Sequence, residues 1–320
     1  MKTPTGLHHV TAIASDPQTN VDFYAGLLGL RLIKKTVNFD DPSGYHLYYG
    51  DETGRPGTII TFFYWPGAGS RGLVGRGQMT RISFSASAAS LEYWRERLSA
   101  RGVSAQRSER FGETVLTFAD PDGIPLEIVA TAGDPRIGWT GGEIPAEHAL
   151  RGMHTAELTV GTAASTEQLL TKIMAYRLVR REGTRSRFEA GEGGPGHYVD
   201  LLADQGNPLG RGGVGTIHHI AFRVPDDETQ LAMQAALSAA GHGVSAVRDR
   251  NYFHSIYYRE PSGILFEIAT DSPGFAVDEP VETLGTSLRL PAEFERARKE
   301  IEALLPPIEA PRQFAVKLAR

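Results

Sequence analysis

The chain repeats itself four times, and that periodicity restricts the folds open to it more than any other feature. The segments "GLHHVTAIAS", "GQMTRISFSA", "GMHTAELTVG" and "TIHHIAFRVP" each begin a unit that continues in one order: strand, polar start signal, amphipathic helix, further strands. Each unit closes on a strand preceded by a glycine turn, in "GRPGTIITFF", "DPDGIPLEIVA", "GGPGHYVDLLA" and "EPSGILFEIAT". Thr61, Glu127, Asp200 and Glu267 stand four residues beyond Gly57, Gly123, Gly196 and Gly263, which aligns the repeats with one another. The expected fold is α+β: four βαβββ modules, over 6–66, 77–132, 152–203 and 215–270, forming two cupped mixed-sheet barrels.

Each module carries its own helix signals. Asp16 and Pro17 read as N-cap and first helical residue, with Gly29 as the stop. In the second module Leu91, Trp94 and Leu98 keep helical spacing and Gly102 closes the run. Ser165 or Thr166 caps the third helix, before Leu169, Leu170 and Ile173; Asp226 or Asp227 caps the fourth, before Leu231, Leu237 and Gly241. The glycine- and proline-bearing stretch "GDPRIGWTGGEIPAEHALR" divides the chain, so the expected domains are 6–133 (modules one and two), a linker over 134–151, 152–272 (modules three and four) and a tail over 273–320. "PAEFERARKEIEALL" in that tail is a candidate packing or solvated helix.

Composition removes whole classes of function. With no cysteine among 320 residues there is no thiolate nucleophile, disulfide or Cys-ligated metal, so any metal must be held by His, Asp or Glu. A formal net charge of -5 supplies no basic field for nucleic acid. The longest apolar runs are strand-sized, far short of a membrane span, and "MKTPTGLHHV" lacks the apolar core of a secretory signal. The expected address is cytoplasmic, without nucleic-acid or membrane partners.

Two modules carry paired histidines. The second histidine position reads His9, Thr80, Thr155 and His219; the closing strands supply Thr61, Glu127, Asp200 and Glu267. If module one pairs with module four, a single cup receives His9, His219 and Glu267, with Thr61 as a weak fourth neighbour. Pairing one with two and three with four would separate the histidines. The other cup would hold Thr80, Thr155, Glu127 and Asp200 and no imidazole, which suits a scaffold. Side-chain alternation along a strand points His8 and His218 away from the face of His9 and His219. His154 and His197 read as satisfied structural histidines.

These residues resemble the vicinal oxygen chelate superfamily, which includes glyoxalases, bleomycin-resistance proteins and extradiol dioxygenases, and specifically its hydroquinone ring-cleaving dioxygenases. The likeness runs from "LHHVTAI" through "YHLYYGDETGRPGTIITFF", "IPAEHALRGMH", "IHHIAFRV" and "NYFHSIYYREPSGILFEIA", nearly the whole chain. It implies one mononuclear Fe(II) site, with Mn(II) as the other candidate metal, held by His9, His219 and Glu267. It also implies outer positions at His8, Thr11, His218, Arg250 and Tyr257. Thr11 shares the face of His9, two residues along the strand. Arg250 and Tyr257 precede the Glu267 strand, where a guanidinium could steady an anion and a phenol could donate to a substrate oxygen.

Two imidazoles and one carboxylate on one face of an octahedral ion leave positions for both substrate and O₂. The implied partners are therefore a small aromatic substrate and O₂, with a homo-oligomer as a further expectation. The implied reaction opens a hydroquinone ring between the hydroxyl-bearing carbon and its neighbour, with Tyr257, His218 and His8 as candidate acid/base groups. Thr61 stands where a glyoxalase-type lyase or isomerase would place a second carboxylate. A drug-sequestering module, the non-enzymatic alternative, would have no use for the complete ligand set.

Overall fold

The computed structural model describes residues 2–64 and 70–314; Pro66 and the first three residues of the "GAGSRG" turn lie outside that range, as do the last six of the tail. Module one contributes strands β1 (Gly6–Ile13), β2 (Arg31–Asn38), β3 (Asp41–Gly50) and β4 (Ile59–Tyr64). Module two follows with β5 (Gln78–Ser87), β6 (Gln106–Arg110), β7 (Glu113–Ala119) and β8 (Pro125–Thr131). Module three holds β9 (Met153–Val160), β10 (Arg177–Glu182), β11 (Arg185–Glu189) and β12 (Tyr198–Ala203). Module four closes with β13 (Ile217–Val224), β14 (Arg248–Asp249), β15 (Phe253–Arg259) and β16 (Leu265–Pro273).

These strands form two eight-stranded mixed sheets, β14-β15-β16-β13-β1-β4-β3-β2 and β10-β11-β12-β9-β5-β8-β7-β6. The α+β architecture of four βαβββ modules in two cups is therefore present, with module one joined to module four and module two to module three. Each sheet draws one module from 6–133 and one from 152–272, so the halves of the sequence and the halves of the structure do not coincide. Within a module the first and fourth strands run parallel (β1 with β4, β13 with β16), while the two first strands meet antiparallel at the sheet centre. Burial follows that order. Central β1 is buried along nearly its whole length, whereas edge strand β10 is exposed at every position.

The helices pack on the outer faces. Helix α1 (Pro17–Val21) begins at Asp16, whose side chain accepts from the Thr19 amide, and continues as a π-helical turn over Asp22–Leu27. Gly29 then takes φ +69°, the left-handed conformation that ends a helix at least cost in a residue without a Cβ. Helix α2 (Leu91–Ala100) buries Trp94 and Leu98 as their spacing requires. Two expectations need correction. Helix α3 (Ala164–Gln168) starts at Ala163 with no side-chain cap, because the Thr166 hydroxyl donates across to Glu260 Oε2 in module four, 2.7 Å away. Helix α4 (Asp227–Ala239), capped by Asp226, buries Gln230, Met233 and Leu237 and leaves Leu231 52% exposed. Its inner stripe includes Gln230 because that side chain donates to the His254 and Ile268 carbonyls at 2.7 and 2.8 Å.

The tail packs over the β2 edge. Lys34, fully buried in β2, donates to Asp278 at 2.6 Å, to Glu279 at 2.5 Å and to the Phe275 carbonyl at 3.1 Å. Phe275 closes an aromatic plug with Tyr48, Tyr252 and Phe253 beneath the first cup. The tail helix expected in "PAEFERARKEIEALL" is a 3₁₀ turn over Ala292–Ala297 followed by α5 (Arg298–Leu304), which buries Ile301. Among the described residues no helix is long and apolar enough to cross a membrane.

Modules one and two also lock together through a buried carboxyl. Asp120 accepts from the Tyr24 hydroxyl at 3.0 Å and from the Asp122 and Ile124 amides at 2.9 and 2.8 Å. Burial pushes its pKa up to about 7, and Asp122 adds to the shift. A carboxyl raised on folding contributes stability that is complete below its unfolded value, about 3.9, and is lost as pH rises through about 7. Asp120→Asn, which stays neutral, is therefore expected to match the wild type near pH 4 and to exceed it at pH 8 by on the order of 4 kcal/mol in urea unfolding. An unchanged difference across that range would contradict the assignment.

Candidate metal centre

The antiparallel register of β1 and β13 sets the site. His9 lies opposite Ala221 and Thr11 opposite His219, while Ala221 lies beside Glu267 on β16 and Thr11 beside Thr61 on β4. Alternation then places His9, Thr11, His219, Glu267 and Thr61 on one face. His9 Nε2 and His219 Nε2 are 3.3 Å apart, and they lie 3.5 and 3.0 Å from Glu267 Oε2. All three residues are buried, and among the described residues theirs is the one group of three or more such side chains that could hold a metal ion.

Both histidine pairs coincide with β-bulges. The register skips His8 on β1 and His218 on β13, so neither is paired across the strands. A bulge re-aims side chains that plain alternation would send to the opposite face. Each skipped histidine instead approaches its neighbour: His8 Nδ1 is 2.9 Å from His9 Nδ1, and His218 Nδ1 is 2.7 Å from His219 Nδ1.

This arrangement determines protons. His8 Nε2 lies 3.1 Å from the Thr270 carbonyl, which can only accept, so that nitrogen carries the hydrogen. Burial, then His9, holds the His8 pKa well below the ordinary histidine value, so its Nδ1 is an acceptor. His9 Nδ1–H therefore donates to it, and His9 Nε2 faces Glu267. Burial likewise lowers His219, against the pull of Glu267. Burial alone would raise the Glu267 carboxyl, but His9 and His219 hold it well below the usual range.

Glu267 Oε1 accepts from Ser255, while buried Oε2 makes no hydrogen bond, although His219 Nε2 lies 3.0 Å away. Two imidazole nitrogens thus converge on one buried carboxylate oxygen. That donor set fits a divalent transition metal.

The metal-ligand candidates open onto a cavity of about 420 Å³. His218, Arg250 and Tyr257 line it; His8 and Thr11 are buried behind it, His8 on the Thr270 carbonyl and Thr11 on Thr61 at 2.7 Å. Arg250 Nε donates to the Tyr257 hydroxyl at 3.1 Å. Burial raises the Tyr257 pKa well above the ordinary phenol value, so the hydroxyl keeps its proton. His218, lowered to about 3 by burial and then by His219, is neutral.

Sequence reasoning passed over His46, Tyr48 and Ser255. His46 Nε2 is 2.8 Å from Thr61 Oγ1, and its Nδ1 is 2.8 Å from the Tyr48 hydroxyl. Tyr48 faces Thr61 across β3 and β4 as Tyr257 faces Glu267 across β15 and β16. The recurrence of "YHLYYG" and "FHSIYYR" was the available signal.

The second cup corrects one alignment. The β5–β9 register skips Thr80 and His154, and Arg81 lies opposite Glu157 as His9 lies opposite Ala221. Arg81, rather than Thr80, is thus the counterpart of His9, and Thr80 that of the skipped His8, because Gly77 stands one residue further from its bulge than Gly6 does. Arg81 donates to Glu127 at 3.0 Å; Arg110, Ser83 and Thr117 bind the same carboxylate. Arg187 makes a bidentate pair with Asp200 at 2.7 and 3.0 Å. His154 and His197 are hydrogen-bonded, to Thr155 and to the Thr5 carbonyl.

Fold and repeat together define a class: the chain belongs to the Glyoxalase/Bleomycin resistance protein/Dioxygenase superfamily, whose family profile matches residues 6–128 and 152–268. More particular relatives lie within it. The Bacillus subtilis (strain 168) protein named "Putative ring-cleaving dioxygenase MhqO" is 48% identical over 96% of this chain and 98% of its own. The chlorohydroquinone/hydroquinone 1,2-dioxygenase of Sphingobium indicum is 35% identical over 92% of this chain and 94% of its own. A crystal structure described as a "putative dioxygenase" from Bacillus subtilis superposes with a TM-score of 0.93 at 47% identity, covering 97% of this chain and 99% of that one.

Metal analysis of purified variants checks the site. His219→Ala and Glu267→Ala are expected to lose the ion, and Ser255→Ala to weaken its binding by about 10- to 100-fold through the freed Oε1. Full occupancy in Glu267→Ala would contradict the ligand set.

Proposed function

We propose that the chain is a non-haem, extradiol-type ring-cleaving dioxygenase that opens hydroquinones, including substituted and halogenated ones, with O₂. In this account His9, His219 and Glu267 hold Fe(II). The observation that carries the proposal is the convergence of two buried imidazoles with an unsatisfied buried carboxylate oxygen at the end of a cavity of about 420 Å³. The name of the Sphingobium indicum relative supports the substrate class. Fe(II) held by these residues would supply the redox chemistry that lets an aromatic ring react with O₂.

The chain's own residues do the rest. His8 and Thr270 fix the tautomer of His9, so His8 acts as a positioning residue behind the ligand. Thr11 and Thr61 hold each other on the ligand face. Neutral His218 lines the cavity and can accept the proton of a substrate hydroxyl. Tyr257 accepts from Arg250 and keeps its own O–H to donate to the oxygen that gains charge as the ring opens. Arg250 stabilises that charge.

Thr61 weighs against a glyoxalase-type lyase, since the place of a second carboxylate is taken by a hydroxyl already bound to Thr11 and His46.

Protein loaded anaerobically with Fe(II) and then given hydroquinone in ¹⁸O₂ is expected to consume one equivalent of O₂ per ring and to place both labelled atoms in the ring-opened product. Tyr257→Phe should lower kcat by about 10²-fold with little change in metal content. Metal binding without O₂ uptake on any hydroquinone would overturn the proposal.

A further inference from the structure

The mouth of the cavity holds an ion-pair cluster of which the proposed chemistry uses only Arg250. Asp40, on the turn between β2 and β3, reaches across to module four. Its Oδ2 accepts from Arg250 Nη2 at 2.9 Å, and its Oδ1 lies 3.5 Å from Arg248 Nη1. All three residues line the cavity, as does Asp41, which turns away to accept from the Ser43 amide at 3.1 Å. Two guanidinium groups and two carboxylates therefore share the entrance, and one aspartate engages both arginines.

We propose that Asp40 is a charge filter that restricts the cavity to uncharged aromatic rings. This inference rests on the ring-cleavage account and narrows its substrate class to hydroquinones without a carboxylate. Arginine forks are strong carboxylate receptors when their donors are open. Here Asp40 takes Nη2 of Arg250, while Nε is committed to Tyr257. An aromatic acid arriving at the mouth meets Asp40 and Asp41 as like charges and must displace a carboxylate from the arginines. A neutral phenol meets neither obstacle. Asp40 also holds Arg250 toward Tyr257 and so serves as a positioning residue.

The test is calorimetric and needs no turnover. Metal-loaded wild type, Asp40→Asn, Asp40→Glu and Asp41→Asn are titrated anaerobically with hydroquinone and with 2,5-dihydroxybenzoate, which differ only by the carboxylate. Asp40→Asn should shift the ratio of the two affinities toward the acid by at least about fivefold, and the shift should shrink at high salt. Asp40→Glu should retain most of the wild-type ratio, and Asp41→Asn should move it less than Asp40→Asn does. An unchanged ratio in Asp40→Asn, or an equal shift in Asp41→Asn, would overturn the filter while leaving hydroquinone binding intact. Failure of hydroquinone to bind the wild type at all would overturn both the filter and the ring-cleavage account.

Discussion

The antiparallel pairing of β1 with β13 is the contact on which the rest of the molecule depends. It joins the first and last modules across nearly the whole chain and brings His9 and His219, 210 residues apart, to a separation of 3.3 Å. Its two bulges act together. Each removes one histidine from the strand register and sets it against the Nδ1 of the next, so that the inner imidazoles are buried with their Nε2 atoms convergent. A regular ladder would have sent the outer histidines to the far face and left the inner ones without an orienting partner.

The two cups show what one fold does with a ring of inward carboxylates. In one, Glu267 presents an oxygen that no proton satisfies. In the other, arginines reach Glu127 and Asp200 directly, and Arg81 stands at the counterpart of His9. Buried carboxylates require cations in both places. One cup carries them on its own side chains; the other sets two imidazoles beside its carboxylate, a group that could hold a metal ion.

The repeat made the sheets legible. A constant four-residue offset from a glycine turn is a register statement, and it located Thr61, Glu127, Asp200 and Glu267 at equivalent positions in four strands. The pairing of module one with module four followed from where the histidines fell. Bulges were not legible, because one extra residue leaves composition and periodicity almost unchanged, so parity alone placed His8 and His218 too far from the site; Thr80 stood in for Arg81 because Gly77 stands one residue further from its strand's bulge than Gly6 does. Leu231 and the third helix cap were misjudged for a related reason. Gln230 and Thr166 satisfy partners in other elements, Ile268 and Glu260, that local spacing cannot show. His46 and Tyr48 were hidden because their importance lies in mirroring Ser255 and Tyr257, a relation visible only once β3 and β15 are seen at matching places in the sheet.

Anomalous diffraction at the iron edge from crystals of the iron-loaded protein tests the central claim most directly. The account predicts one peak, bonded to His9 Nε2, His219 Nε2 and Glu267 Oε2, and no peak among the arginines of the second cup. Iron bound elsewhere, or a site lacking any of those three atoms, would contradict it.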